Sequence, residues 1–326
     1  MMAFLGAGNI ATALALLLEK RARQVTLYSV EESVSETINH QHINQKYLPG
    51  FVLPPKICAS NSIHDALFGA RFVFVAVPSH AVADVLSAAR PHISPDAIIV
   101  SITKGIDPET FHPLILKQIE ILPAELQKNL VILGGPAIAN ELAAGQATGF
   151  VLASKNHEAA LAIQRALAHG QVRISLSDDM IGVGLCSGLK NAYGIALGLC
   201  DGLHLSVNAK ALIYTTALQE MALLVTTAGG KFETVFGLAG AGDLFVTGNS
   251  PHSRNRTYGE KLVHAKSSAP ETLGLTTVEG ISAVNIAREM AHKHKLHLPL
   301  LEAINSCLKR SSNFSEPFAS YLRGRN

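Results

Sequence analysis

Ala3-Phe4-Leu5-Gly6-Ala7-Gly8-Asn9-Ile10-Ala11-Thr12-Ala13-Leu14-Ala15 is the stretch that decides the fold of this chain. A short apolar run meets two glycines and passes straight into helix-forming residues. The spacing is GxGxxA, the alanine form of the dinucleotide-binding fingerprint. Gly6 permits the tight turn, Gly8 lets the backbone approach a pyrophosphate, and Ala11 still allows close helix–strand packing. Backbone N–H groups and the helix N-terminus then face the phosphates. Such a motif alone is weak evidence. Here it sits in a strand–turn–helix–strand context, because a second apolar run, Gln24–Tyr28, follows.

Further apolar runs lie at Phe72–Val77, Ile98–Ile102, Leu130–Leu133, Phe150–Ala153 and Gln171–Ile174. Most are continuously apolar, as expected for parallel strands buried on both faces. Helical patterns at Asn9–Arg21, Ala81–Ala89 and Pro108–Leu122 lie between them. The alternation predicts an α/β fold with a Rossmann-like doubly wound parallel sheet over residues 1–178. Beyond that point long apolar segments take helical spacing: Met180–Leu199, Val207–Thr227, Tyr258–His264, Val278–His294 and Leu298–Leu308. Residues 179–326 therefore read as a second, all-helical domain. Gly240–Thr257, rich in Gly, Ser, Asn and Arg, reads as a loop joining helices.

The composition narrows the function. With 326 residues, 48% of them hydrophobic and 16% charged, the chain can bury two sizeable cores. A net charge of +2 provides no strong field for nucleic acid or an anionic membrane, so neither is an expected partner. The four cysteines, Cys58, Cys186, Cys200 and Cys307, are scattered, so neither a disulfide framework nor a metal site is expected. A reducing cytoplasm is the expected compartment, and the first residues carry no signal-like pattern. Met180–Cys200 is long enough to span a bilayer, but five glycines interrupt it. Lys190 at its middle would cost about 2.5–3.5 kcal/mol to insert. A buried core helix is the expected reading.

Ligands in such sheets bind at the carboxyl ends of the strands. Phe72–Val77 is followed by Pro78-Ser79-His80, Ile98–Ile102 by Lys104-Gly105, and Leu130–Leu133 by Gly134-Gly135-Pro136. Lys104 could point a cation at a phosphate or at a nicotinamide. After Gln24–Tyr28, Ser29 and Val30 offer neither an acid for the adenosine ribose of NAD nor an arginine for NADP, while Glu31 and Glu32 lie slightly beyond. A glutamate there leans towards NAD, but two solvated acids at a helix start would look the same. The sequence leaves the choice of cofactor open.

Lys190, beside Asn191, is the sharper signal. Burial disfavours its charged form and should lower its pKa towards the range useful for proton transfer. Reduction of a ketone needs a proton for the oxygen as hydride reaches the carbon, and a partly buried lysine suits that task. Ser253-Arg254-Asn255-Arg256 carries a planar guanidinium fork that matches phosphate oxygens. Asp243 could orient Lys190 or bind a substrate hydroxyl.

In sequence order the chain also carries Lys46-Tyr47-Leu48-Pro49-Gly50, Gly135-Pro136, Gly188-Leu189-Lys190-Asn191, Cys200-Asp201-Gly202, Asn208-Ala209-Lys210, Gly242-Asp243-Leu244 and Val278-Glu279-Gly280. With the glycine turn, Lys104-Gly105 and the Ser253–Arg256 cluster, this ordered set resembles the NAD(P)-dependent glycerol-3-phosphate dehydrogenase family. The twelve residues from Asp243 to Arg254 are spaced as in its bacterial branch. The resemblance implies a helical C-terminal domain of the 6-phosphogluconate dehydrogenase type and a small phosphorylated three-carbon substrate. It implies interconversion of dihydroxyacetone phosphate and glycerol 3-phosphate for phospholipid synthesis, and by analogy a homodimer. Lys190 would be the catalytic proton donor, with Asp243 and Asn191 in support. Ser253, Arg254 and Asn255 would hold the substrate, with Lys104 and the backbone of Gly135. Gly6, Gly8, Asn9, Ile10, Ala139 and Glu279 would meet NAD or NADP, as would Lys104 and Arg254.

The chain departs from the family pattern at Ile10, Ala11, Ala83, Ala137 and the Thr216-Ala217 pair. Two other readings share part of these signals. One is a related hydroxyacid or 6-phosphogluconate-type dehydrogenase, and the other is a catalytically weak NAD(P)-binding regulator. The spacing of Asp243 to Arg254 counts against the first. Retention of Lys190, Asp243 and Arg254 counts against the second.

Overall fold

A computed structural model describes residues 1–168, 170–310 and 312–324. The chain forms two compact units. One comprises Met1–Lys104 and Leu114–Met180, the other Gly105–Pro113 and Ile181–Asn326.

Among the described residues the first unit has ten strands: β1 (Met2–Leu5), β2 (Val25–Tyr28), β3 (Ile43–Asn44), β4 (Leu48–Val52), β5 (Ile57–Ser60), β6 (Phe72–Val75), β7 (Ile98–Ser101), β8 (Leu130–Gly134), β9 (Thr148–Ala153) and β10 (Val172–Ser177). Eight of them form one sheet in the order β10-β9-β8-β7-β6-β1-β2-β5. The chain winds outward from β1 in both directions, which places a topological switch point between β1 and β6. The centre is fully apolar. All four residues of β1 are buried, and Phe4 stacks on Phe74 of β6 with ring centroids 4.5 Å apart. The expected Rossmann-like sheet is present, with one departure from a purely parallel design: β9 runs antiparallel to β8. Alternation of apolar runs cannot report strand direction, so this reversal had no signature.

Three strands escaped the sequence reading. β5 is a four-residue edge strand beside β2, and β3 and β4 form a hairpin of their own. That hairpin is tied down by a buried side chain. Asn44 Nδ2 donates to the carbonyl of Ala7 and to Thr12 Oγ1, both at 2.8 Å. The predicted helix over Pro108–Leu122 is shorter, covering Leu114–Ile121. Ahead of it, Asp107 Oδ1 accepts from the N–H groups of Glu109 and Thr110, and Ile106 bridges Pro113. A side-chain-capped turn thus replaces the first helical turn.

The second unit is helical. Its main elements are Met180–Gly202, Val207–Thr227, Arg254–Leu262, Glu279–Lys293, Pro299–Lys309 and Glu316–Leu322. The helix Met180–Gly202 is the expected core helix, buried along most of its length. No helix among the described residues is long and apolar enough to cross a membrane. Residues 240–257 are not the expected loop: Asp243–Asn249 is a helix, and Arg254 already starts the next. Glycines within the segment serve close packing instead: a Cβ on Gly240 would lie 2.0 Å from the carbonyl oxygen of Val235, and one on Gly248 2.1 Å from Leu197 Cδ1. The helices on either side meet through glycines too. A Cβ on Gly198 would lie 2.0 Å from the carbonyl oxygen of Arg256, and one on Gly259 would lie 2.1 Å from that of Ile195. Helices 180–202 and 254–262 therefore touch backbone to backbone. Gly198→Ala is expected to destabilise the protein by about 3 kcal/mol, the upper end for overpacking, because a carbonyl cannot rotate aside. Urea unfolding would read this loss; an unchanged midpoint would show that the helices separate freely.

Candidate active site

In the first unit the expected ligand residues gather at the carboxyl ends of parallel strands. Gly6 follows β1 with a φ of +120°, and a Cβ there would sit 2.8 Å from the carbonyl oxygen of Ala76. Only glycine fits this turn. Gly8 is the N-cap of helix Asn9–Leu18, which no side chain caps, and a Cβ on Gly8 would meet nothing within 4 Å. The open face above Gly8 and the uncapped helix start suit a pyrophosphate. Asn9 Oδ1 accepts from the N–H of Ile10, and Ile10 is half-buried. Lys104 lies in the connection after β7, which is fixed where Thr103 Oγ1 donates to the carbonyls of Val75 and Val77. Gly135 follows β8 with a φ of +114°, and Ala139 opens the short helix Ala139–Ala143.

The second unit brings together the other candidates. Lys190 Nζ donates to Asp243 Oδ1 at 2.5 Å and to Thr247 Oγ1 at 2.8 Å. Lys190 is 8% exposed and Asp243 1%. Burial alone would favour the neutral amine, but a carboxylate at contact distance favours the ammonium. Lys190 thus forms a buried ion pair with Asp243, the residue that the sequence offered as able to orient it.

Asn191 lies one residue on and joins two more candidates. Its Nδ2 donates to Glu279 Oε2 at 3.1 Å, and its Oδ1 accepts from Asn255 Nδ2 at 2.9 Å. Asn255 Oδ1 in turn accepts from the N–H of Gly280. Helices 180–202, 254–262 and 279–293 are thus locked by one polar chain. Ser253 caps helix Arg254–Leu262 through the N–H of Arg256, and Arg254 is exposed in its first turn.

Residues 1–160 match the family described as NAD-dependent glycerol-3-phosphate dehydrogenase N-terminus, and residues 179–319 match its C-terminus. The chain belongs to that dehydrogenase family. It is 37% identical to the glycerol-3-phosphate dehydrogenase [NAD(P)+] of Bacillus velezensis over 309 residues, 94% of this chain and 89% of the relative. The counterpart from Koribacter versatilis is 34% identical over 97% of this chain and 94% of its own. The crystal structure of glycerol-3-phosphate dehydrogenase from Coxiella burnetii superposes with a TM-score of 0.88 at 32% identity, covering 98% of both chains.

Within this dehydrogenase, two features of the site lay outside the sequence reading. Thr247 is the second partner of Lys190. It stands four residues after Asp243 on one helix, so both face the same way. Reading that segment as a loop hid the spacing. Arg256 was grouped with the substrate cluster, but its Nε donates to Asp201 Oδ2 at 2.6 Å, and Lys210 donates to the same carboxylate. The Cys200-Asp201-Gly202 and Asn208-Ala209-Lys210 motifs therefore meet in a structural ion-pair cluster. Among the described residues no three His, Cys, Asp or Glu side chains form a metal-binding group.

Proposed function

We infer that this dehydrogenase reversibly reduces dihydroxyacetone phosphate to sn-glycerol 3-phosphate with NADH or NADPH. Family membership supports the reaction class. The observation that carries the chemistry is Lys190, buried and held by Asp243 and Thr247. The bound nicotinamide supplies the hydride. Lys190 holds the proton at the ketone oxygen and takes it back in the reverse direction. Asp243 keeps the amine charged, and with Thr247 fixes its direction.

Arg254 and Ser253 sit at the start of a nine-residue helix, where a phosphate meets N–H donors as well as the guanidinium. Asn255 has its oxygen committed to Gly280 and a donor committed to Asn191, so it shapes the pocket as much as it binds. Lys104 and Gly135 complete the substrate contacts. Gly6, Gly8, Asn9, Ile10, Ala139, Arg254 and Glu279 serve the cofactor. The setting in this reading is the cytoplasm, where all four cysteines are free thiols. The product is a precursor for phospholipids.

Purified protein given dihydroxyacetone phosphate is expected to oxidise NADH or NADPH, read as loss of the nicotinamide absorbance band. No loss with either cofactor would reject the assignment.

A further inference from the structure

We propose that this chain selects NAD over NADP through Glu31, a carboxylate fixed at the adenosine end of the cofactor site by Lys46 and Tyr47. The proposal rests on the cofactor reading of the glycine turn and deepens it. β1 and β2 are parallel neighbours, and the N–H of Gly6 donates to the carbonyl of Tyr28 at 3.1 Å. The end of β2 therefore lies beside the turn that faces the pyrophosphate. In sheets of this kind the residue just beyond that strand meets the adenosine ribose.

What stands there in this chain is Ser29-Val30-Glu31. Val30 is exposed and offers no cation. Ser29 Oγ accepts from the N–H of Glu31, which turns the chain tightly and makes Glu31 the N-cap residue of helix Glu32–Gln41. The Glu31 carboxylate takes Tyr47 Oη–H on one oxygen and Lys46 Nζ–H on the other. Both partners belong to the connection between β3 and β4. Tyr47 is set by its own N–H donating to Asn44 Oδ1, and Asn44 is the residue bonded to Ala7 and Thr12 of the glycine turn. One hairpin thus grips both the pyrophosphate turn and the acid beyond β2.

The consequences follow from charge. The hydrogen bonds from Lys46 and then Tyr47 hold the Glu31 carboxyl below the usual carboxylate range, so it is ionised at neutral pH. An ionised carboxylate can accept from ribose hydroxyls, which NAD presents free. NADP carries a phosphate at the 2′ position, and two anions would then face each other. Lys46 is the cation of this cluster, and it is already paired with Glu31. A 2′-phosphate would have to compete with the Glu31 carboxylate for it.

The test is binding, independent of turnover. NADH and NADPH are titrated by fluorescence, and ADP-ribose and 2′-phospho-ADP-ribose by calorimetry, against the full chain. Wild type is expected to bind the unphosphorylated member of each pair about tenfold or more tightly. Glu31→Gln is expected to bring the ratio close to one. Lys46→Ala is expected to keep or increase the preference, since it removes the nearby cation. Tighter or equal binding of NADPH by wild type would overturn the proposal. So would an unchanged ratio in Glu31→Gln, or a shift of the ratio towards NADPH in Lys46→Ala. If neither cofactor nor fragment binds, the cofactor reading of the glycine turn falls as well. If both bind and dihydroxyacetone phosphate is not reduced, the assigned reaction fails while the affinity ratio still decides the selection.

Discussion

Lys190→Ala is expected to lower turnover by about a thousandfold, the usual scale for losing a positioned proton donor, while NADH binding is retained. The cofactor turn belongs to the other unit, so the two readouts separate. Stability complicates the experiment, and the magnitudes show how to handle it. Removing one partner of a buried ion pair leaves the other uncompensated, at a cost of about 3–5 kcal/mol. Asp243 is 1% exposed, so Lys190→Ala strands a buried carboxylate. The double variant Lys190→Met with Asp243→Asn removes the stranded charge at similar volume. It should recover most of the stability and none of the turnover. Asp243→Asn alone should also be slow, because the amine loses the partner that keeps it protonated and aimed. Losses from residues acting as one unit do not add, so the double variant should be about as slow as Lys190→Ala. A Lys190→Ala protein with wild-type turnover would show that the proton comes from elsewhere.

The central sheet was legible because its strands are buried on both faces. Nothing polar interrupts Phe72–Val75 or Leu130–Gly134, and a glycine turn announces β1. What escaped depends on contacts distant in sequence. The β3–β4 hairpin is pinned by Asn44 to Ala7, 37 residues away, and a lone asparagine in a polar stretch carries no sign of that bond. Residues 240–257 were misread for a related reason. Glycine and serine favour turns locally, but here Gly248 allows close approach to Leu197 of helix 180–202 and Gly240 to the backbone of Val235, and packing overrode propensity. The candidate site divided in the same way. Lys190 stood out as a single charge in an apolar run, but its pairing with Asp243 spans 53 residues, and the sequence left Asp243 open between orienting Lys190 and binding a substrate hydroxyl. Thr247 was lost because its meaning lies in helical spacing. Glu31 was visible as an acid beyond β2; that Lys46 and Tyr47 hold it was not.

Glu220→Ala is expected to be among the most destabilising single changes in the chain, at about 4 kcal/mol. Glu220 is 3% exposed within helix Val207–Thr227. Its Oε1 accepts from the N–H of Leu300 at 2.7 Å, and its Oε2 from the N–H of Leu301 and from Tyr193 Oη–H, both at 3.0 Å. Those two N–H groups are among the unsatisfied donors at the start of helix Pro299–Lys309. Pro299 at its first position has no N–H, and the preceding Leu298 cannot cap. The cap is therefore supplied from another helix, and alanine would orphan three buried donors together.

The same carboxyl sets a pH dependence. Burial pushes it up to about 7, against the pull of its three hydrogen bonds and with the nearby Glu302 adding to the rise. A group raised on folding stabilises the protein fully below the ordinary carboxylate range and loses that contribution as pH climbs through about 7. Stability should therefore fall by about 3 kcal/mol across that window. Glu220→Gln cannot ionise and should flatten the fall, while its amide misfits one donor at a cost of about 1–3 kcal/mol. Urea unfolding from pH 5 to pH 8 would read both effects. A Glu220→Ala protein unfolding at the wild-type midpoint would mean that helix 299–309 is held by its apolar face alone.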